Sequence, residues 1–176
     1  MRLHTTRLKH WLAPAAKVIS VLLLLSNTLL WWLSDGQALI LKNFATLTNE
    51  PLQLTPFGVW MGWGLSTLHL LIMMWGIWAM AGVFRWLAQG DYFHADIARQ
   101  LRRFGVALMV FGVASPVVRL LMVLAVTLEN PEGHQVIAIS LEMNDVLVVL
   151  IGALMVMLAH ALQAAAVIAD DNRQIV

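Results

Sequence analysis

Four apolar runs, at residues 15–34, 57–84, 104–128 and 146–169, constrain this chain more than any other feature. Each reaches the roughly 20 residues that a helix needs to cross a hydrocarbon core of about 30 Å. In lipid the backbone must satisfy its own hydrogen bonds, which leaves helices or closed barrels. The runs are continuous rather than alternating, so helices are expected. The expected fold is all-α: a four-transmembrane-helix bundle forming a single integral membrane domain over residues 1–176, with the lipid bilayer as its first partner. Composition agrees, with 60% of residues hydrophobic and 12% charged. Average globular usage is roughly 45–50% and about 25%. The absence of cysteine excludes disulfides, thiolate nucleophiles and thiolate metal sites.

The first run resembles a signal peptide, because Arg2, Arg7, Lys9 and Lys17 form a basic flank. However, Trp31, Trp32 and Leu33 follow it where a small-residue cleavage site would stand, so an uncleaved anchor is expected. Lys and Arg also set the orientation. Arg85, Arg99, Arg102 and Arg103 lie between the second and third runs, and Arg173 follows the fourth. The other two connections hold only Lys42. The positive-inside rule then places both termini and the middle connection in the cytoplasm. The outer side is acidic, with Asp35, Glu50, Glu129, Glu132, Glu142 and Asp145. Trp31, Trp32, Trp60 and Trp63 fall near the outer interface and Trp11 and Trp86 near the inner, as an aromatic belt would.

The connections carry structure of their own. The outer segments ALILKNF (38–44) and QVIAISLEM (135–143) are apolar and partly β-branched. Each reads as a short strand or as a helix on the membrane surface, and the two are expected to meet as a small extracytoplasmic cap. In the middle connection Gly90 and Asp91 make a turn, and a helix starts near His94 and continues into the third span. Asp96 in its first turn suits the helix dipole. At the other end, Asp170 and Asp171 sit at a helix C-terminus, where the dipole opposes them. Arg99, Arg102 and Arg103 are on the same side, so one expectation is that they pair with these acids; the other is that both sets are solvated at the headgroups.

The stretch FRWLAQGDYF (84–93), then LRRFG (101–105), then ADDNRQIV (169–176) resembles a widespread bacterial family of uncharacterised four-helix inner-membrane proteins, often encoded beside a small helix-turn-helix regulator. The likeness covers essentially the whole chain. It rests on Phe84, Gly90 and Phe93, on Leu101, Arg102 and Gly105, and on Asn172 and Val176. Family members often carry Glu at the positions of Asp170 and Asp171, and a Ser or Thr cap where this chain has His94. The resemblance implies four spans, a multi-pass place in the bacterial inner membrane, cytoplasmic termini and a cytoplasmic regulatory partner. It implies no enzyme activity.

Arg119 is the residue that points to a site. It lies within the third apolar run, where a charge costs about 2.5–3.5 kcal/mol on insertion scales and usually faces a bundle interior or watery cavity. Pro116 stands three residues before it, so a kink is expected there. Asn27, with Ser26 and Thr28, and Ser66 with Thr67 fall at comparable depth; Asp145 and Glu142 stand at the outer mouth. One reading is an outward-opening polar pocket in which Arg119, Asn27, Ser66, Thr67 and Asp145 bind a ligand. The plainer reading is an arginine reaching outward to Glu129, Glu142 or Asp145 and holding helices together.

His69 and His160 form a second candidate pair. Counted from the ends of their apolar runs, their depths nearly coincide. Two neutral imidazoles at one depth are the pattern of axial ligands to a b-type haem, with Trp75, Trp78 and the methionines as lining. The plainer reading is that each hydrogen-bonds a neighbouring helix. Gly58 and Gly62 make a small-xxx-small pair, and Gly105 and Gly112 add further small faces. These fit close helix packing, within the chain or in a homo-oligomer.

Soluble chemistries find no footing. There is no glycine-rich phosphate loop and no metal-ligand spacing, and no Ser/His/Asp set is placed for catalysis. The juxtamembrane basic clusters favour anionic headgroups over nucleic acid. The expected function is therefore a non-enzymatic membrane sensor or interaction protein with no resident cofactor. It would signal to a cytoplasmic partner through Arg99, Arg102, Arg103, Asp170, Asp171 and Asn172. The alternatives are a haem b redox protein or subunit built on His69 and His160, and a transporter or channel component.

Overall fold

The computed structural model describes the backbone of residues 2–48, 54–90, 94–128 and 139–174, and the side chains of residues 11–42, 54–90, 94–128 and 139–168. Among the described residues there are five helices: α1 (Arg2–Trp32), α2 (Ser34–Thr48), α3 (Pro56–Gln89), α4 (Ala95–Thr127) and α5 (Met143–Gln174). Four of them, α1, α3, α4 and α5, contain stretches long and apolar enough to cross a membrane. The chain is an all-α, multi-pass membrane protein.

The helix ends follow from local chemistry. Thr55 caps α3 by accepting from the Gly58 N–H at 3.1 Å, and Pro56 occupies the first helical position, where its missing N–H costs nothing. Gly90 closes α3 in the left-handed region, φ 83°, which a side chain would disfavour. His94 starts α4, its Nδ1 accepting from the Asp96 N–H at 3.2 Å, so the imidazole does the work of the Ser or Thr usual at a cap. Its ring stacks on Trp86 at 3.7 Å, which ties the cap back to the end of α3.

The first outer segment is helical, not a strand. Helical hydrogen bonding runs on from α1 through Leu33, whose N–H meets the Leu29 carbonyl at 2.9 Å and whose carbonyl accepts from Gln37 at 2.9 Å. Ala38, Leu39, Leu41, Lys42 and Ala45 are strong helix formers, and they outweigh the few β-branched residues of the segment. At the junction Gly36 lies against the Leu30 backbone so closely that no Cβ fits, and the Gln37 amide covers the Trp31 carbonyl at 2.9 Å. No strand occurs among the described residues. The expected cap of two meeting outer segments is also not found there: α2 packs on α1, residues 139–142 are irregular, and residues 135–138 lie outside the described residues.

The long helices pack in serial antiparallel pairs, α1 with α3, α3 with α4, and α4 with α5. Small residues set each approach. Gly62 makes room for the Trp31 indole, which is 3% exposed, so Trp31 is a packing residue and not part of an interfacial belt. Trp32 and Trp60 are exposed and meet edge-on at 4.8 Å, as belt residues do. A Cβ on Gly76 would come within 2.7 Å of Ala107. Between α4 and α5 the backbones themselves nearly touch: a Cβ on Gly105 would lie 2.7 Å from the Gly152 carbonyl oxygen, and one on Gly152 would lie 2.7 Å from that of Gly105. At the Gly90 end, Val83 of α3, Ile97 and Leu101 of α4 and Ala159 of α5 form a core shared by three helices. The outward faces of α1 and α5, with Leu22, Leu25, Leu150, Ile151 and Leu154 exposed, are lipid-facing.

Gly105→Ala should therefore destabilise the protein by about 1–3 kcal/mol, because backbone and not a mobile side chain must yield. Gly64→Ala, where nothing lies within 4 Å, should be neutral. Reversible unfolding in detergent micelles would separate the two; equal stabilities would contradict the α4–α5 contact.

Candidate functional site

Arg119 faces α5 because of a seven-residue repeat. Ala98, Gly105, Gly112, Arg119 and Val126 recur every seven residues and so lie along one stripe of α4. Gly105 and Gly112 bring α5 in along this stripe; a Cβ on Gly112 would lie 2.9 Å from the Asp145 carbonyl oxygen. Arg119, one step further, meets the residues that begin α5. The stretch of α4 that holds it is a single helix through Pro116.

The guanidinium is 18% exposed and fully engaged by this surface. Nη1 donates to the Ser140 carbonyl at 2.8 Å, to the Ser140 hydroxyl at 3.2 Å and to Asp145 Oδ2 at 3.3 Å. Nη2 donates to Asp145 Oδ1 at 3.3 Å and pairs with Glu142 Oε1 at 3.3 Å. The Arg119–Asp145 contact is thus a two-pronged fork, the geometry that suits a planar guanidinium. The Asp145 side chain is 5% exposed. It also accepts from the Glu142 N–H at 3.0 Å, so it caps the helix it begins, where the dipole favours a carboxylate. Glu142 is 55% exposed and forms the outer rim.

A second polar contact joins the cluster to α3. The Ser115 hydroxyl, one turn before Arg119, lies 3.2 Å from His69 Nε2 and donates to the Phe111 carbonyl at 2.9 Å. The His69 ring stacks on Phe111 at 3.9 Å, and its Nδ1 is buried without a partner. In a Ser-His-Asp set an acid orients the imidazole from that second nitrogen. Here Asp145 holds an arginine instead, so the three residue types do not form a nucleophilic relay.

The residues expected to line one pocket separate into two groups. Arg119 and Asp145 meet between α4 and α5. Asn27 and Thr67 meet between α1 and α3, the Asn27 amide donating to the Thr67 hydroxyl at 3.1 Å, with Trp63 Nε1 donating to Thr28 at 3.3 Å beside them. Ser66 turns back to the Trp63 carbonyl of its own helix, and Ser26 is exposed. An open apolar groove of about 130 Å³ lies between Phe57, Met61 and Leu65 of α3 and Leu121, Leu124, Ala125 and Leu128 of α4, with Arg119 outside it. The arginine reaching to Glu142 and Asp145 is the arrangement found. One guanidinium beside two carboxylates also leaves a net negative site when both acids are ionised, which opposes an anion.

His69 and His160 are not brought together. His69 packs on Phe111 and Ser115 of α4, whereas His160 is exposed on α5. The register of α5 explains the miscount of depth. Gly152 and Val156 lie opposite Gly105, which sets His160 about 14 residues of α4, or roughly 20 Å, from the level of His69. Trp78, expected to line a haem pocket, donates instead to Ser20 of α1 at 2.9 Å, and Trp75 is half exposed. Within one chain these two histidines do not fit a common haem. No group of three or more His, Asp or Glu able to hold a metal occurs among the described residues.

At the Gly90 end, Arg102 and Arg103 are exposed, and Arg99 pairs with Asp96 at 3.2 Å. The side chains of Asp170, Asp171 and Asn172 lie outside the described residues, as do Glu129 and Glu132. Comparison with known protein families, with curated proteins and with solved structures gives no match for this chain.

Arg119→Met should cost on the order of 3 kcal/mol, because it leaves the buried Asp145 carboxylate without its cation. Adding Asp145→Leu should restore a large part of that loss, short of the cap to Glu142. A double-mutant cycle on detergent unfolding reads the coupling; additive losses would mean the fork is not formed.

Proposed function

We propose that this protein is a non-enzymatic membrane sensor, in which the start of α5 is the input element and the Gly90 end of the bundle is the output. The observation that carries the reading is the Arg119 cluster. A half-buried cation holds Ser140, Glu142 and Asp145, all three at or just before the first turn of one helix, and Glu142 exposes part of that contact. A signal that competes for this guanidinium, or neutralises its carboxylates, would free α5 from α4 at one end.

The remainder of the helix can carry such a change. Along α4 and α5 the contacts at Gly112, Gly105 and Gly152 lead to the core of Val83, Ile97, Leu101 and Ala159. That core adjoins the Gly90 turn and the stacked Trp86–His94 cap. Packed helices of this kind shift as bodies and do not deform continuously. With the basic flanks in the cytoplasm, in a bacterial inner membrane, the output end would meet a cytoplasmic regulatory protein through the turn and through Asp170, Asp171 and Asn172. The resemblance to a family encoded beside small helix-turn-helix regulators supports that class of partner.

The chain lacks cysteine, so a single introduced thiol reports on one place. Gln89→Cys at the exposed end of α3 would be labelled with a membrane-impermeant maleimide in vesicles open to that face. Asp145→Asn in the same background should change the labelling rate several-fold. An unchanged rate would show that the two ends are uncoupled, and the sensor reading would fall.

A further inference from the structure

Five exposed cations fall in one layer of the bundle, although they come from three helices. Helix register places them there. The Trp78 indole meets Ser20, and the Lys17 ammonium lies 5.8 Å from the Trp78 ring centre, which sets Lys17 level with the region of Trp78 on α3. Gly82 lies opposite Gln100, so Arg85, three residues further along α3, stands level with Ile97 of α4. Arg99, Arg102 and Arg103 occupy that same stretch of α4. From the level of Arg85 to that of Arg103 is about six residues, or roughly 9 Å. An interfacial zone is of this thickness, since headgroups add about 10–15 Å in all to a core of about 30 Å.

The layer is strongly one-signed. Lys17, Arg85, Arg99, Arg102 and Arg103 are all exposed. Asp96 is the single carboxylate among the described residues there, and Arg99 holds it at 3.2 Å. Arg85, Arg102 and Arg103 have no partner among the described residues. The α4 arginines are all exposed, so they point out of the bundle. Exposed apolar side chains begin directly beside the layer, with Trp75 and Trp78 on α3 and Val106 and Val110 on α4. A ring of fixed positive charge set against a lipid-facing apolar surface is complementary to anionic headgroups above acyl chains.

We infer that this layer is a binding surface for anionic phospholipid, with Arg85, Arg99, Arg102 and Arg103 as its principal headgroup contacts and Lys17 completing it on α1. The inference stands apart from the sensor reading. It reassigns Arg99, Arg102 and Arg103 from a protein-partner surface to the membrane. Three cations in register on one helix and two on its neighbours hold the bundle at a fixed height in the bilayer.

The test uses the full chain in vesicles that mix phosphatidylglycerol with phosphatidylcholine, either lipid carrying brominated acyl chains. Quenching of tryptophan fluorescence then reports which lipid contacts the protein. The unaltered protein should select phosphatidylglycerol several-fold at low salt, and the selection should fall towards one near 0.5 M salt, where screening shortens to about 4 Å. The fourfold variant Arg85→Gln, Arg99→Gln, Arg102→Gln and Arg103→Gln should lose the selection. The corresponding fourfold Lys variant should keep it, which separates charge from fold. No selection by the unaltered protein, or full selection by the Gln variant with native unfolding behaviour, would overturn the inference. So would saturable binding of polyglutamate to the protein in pure phosphatidylcholine together with absent lipid selection, which would assign the layer to an acidic protein.

Discussion

The contact between the α4 and α5 backbones at Gly105 and Gly152 is the constraint on which the rest of the site depends. In lipid there is no hydrophobic force to drive apolar helices together, and close packing between small residues is one of the few terms that does. Once the two helices cross that closely, the seven-residue repeat carries the contact through Gly112 to Arg119. The arginine then has to find acceptors on α5, because the alternative is an unpaired charge in a low-dielectric setting. It finds them where α5 begins, in the acceptors of Ser140, Glu142 and Asp145. The glycine contact positions the helix, and the fork with Asp145 fixes its starting point.

The two sides of the bundle are held by different chemistry. Between α4 and α5 the contact is backbone to backbone with an ionic end. Between α1 and α3 it is a large ring against a glycine, Trp31 on Gly62, supplemented by the neutral pairs Asn27–Thr67, Trp63–Thr28 and Trp78–Ser20. Neutral interhelical hydrogen bonds of this kind contribute about 0.6 kcal/mol each in a membrane. A charge pair broken on one side costs several times more. The ionic side therefore resists partial separation more strongly, and α1 with α2 is the half of the molecule with more freedom to adjust to lipid.

Much of the architecture was legible in the residues. Run length and continuity give four spanning helices, and the start of α4 at His94 follows from the turn at Gly90 and the acid at Asp96. The pairing of Arg119 with Glu142 and Asp145 was one of two readings that the charge pattern allowed. Other features were not legible because they depend on register between helices. His69 and His160 share a depth only if α3 and α5 begin at the same height, and α5 begins lower. Asn27 and Thr67 share a depth with Arg119 but face another helix. Trp31 has the composition of a belt residue, and only the space above Gly62 makes it a core residue. Ser115 went unnoticed although it lies four residues before Arg119, hence on nearly the same face. The repeat of Ala98, Gly105, Gly112 and Arg119 was present in the sequence and would have identified the face that meets α5.

An ionic fork is a costly way to join two helices, and apolar side chains of similar volume often hold a buried contact as well or better. What an apolar pair lacks is direction. Small-residue stripes tolerate sliding by two turns, because every seventh position of α4 looks alike to α5 from Ala98 to Gly112. Arg119 breaks that equivalence. Its two terminal nitrogens satisfy a backbone carbonyl, a hydroxyl and two carboxylates that occur together only within residues 140–145. A slip by one repeat would carry Asp145 about 10.5 Å along the axis and strand both charges. The pair therefore contributes register more than adhesion, and a contact of that kind can also be released as a unit. Losing the carboxylate at Asp145 removes the fork and the hydrogen bond from the Glu142 N–H in the same event, while the glycine contact below it remains.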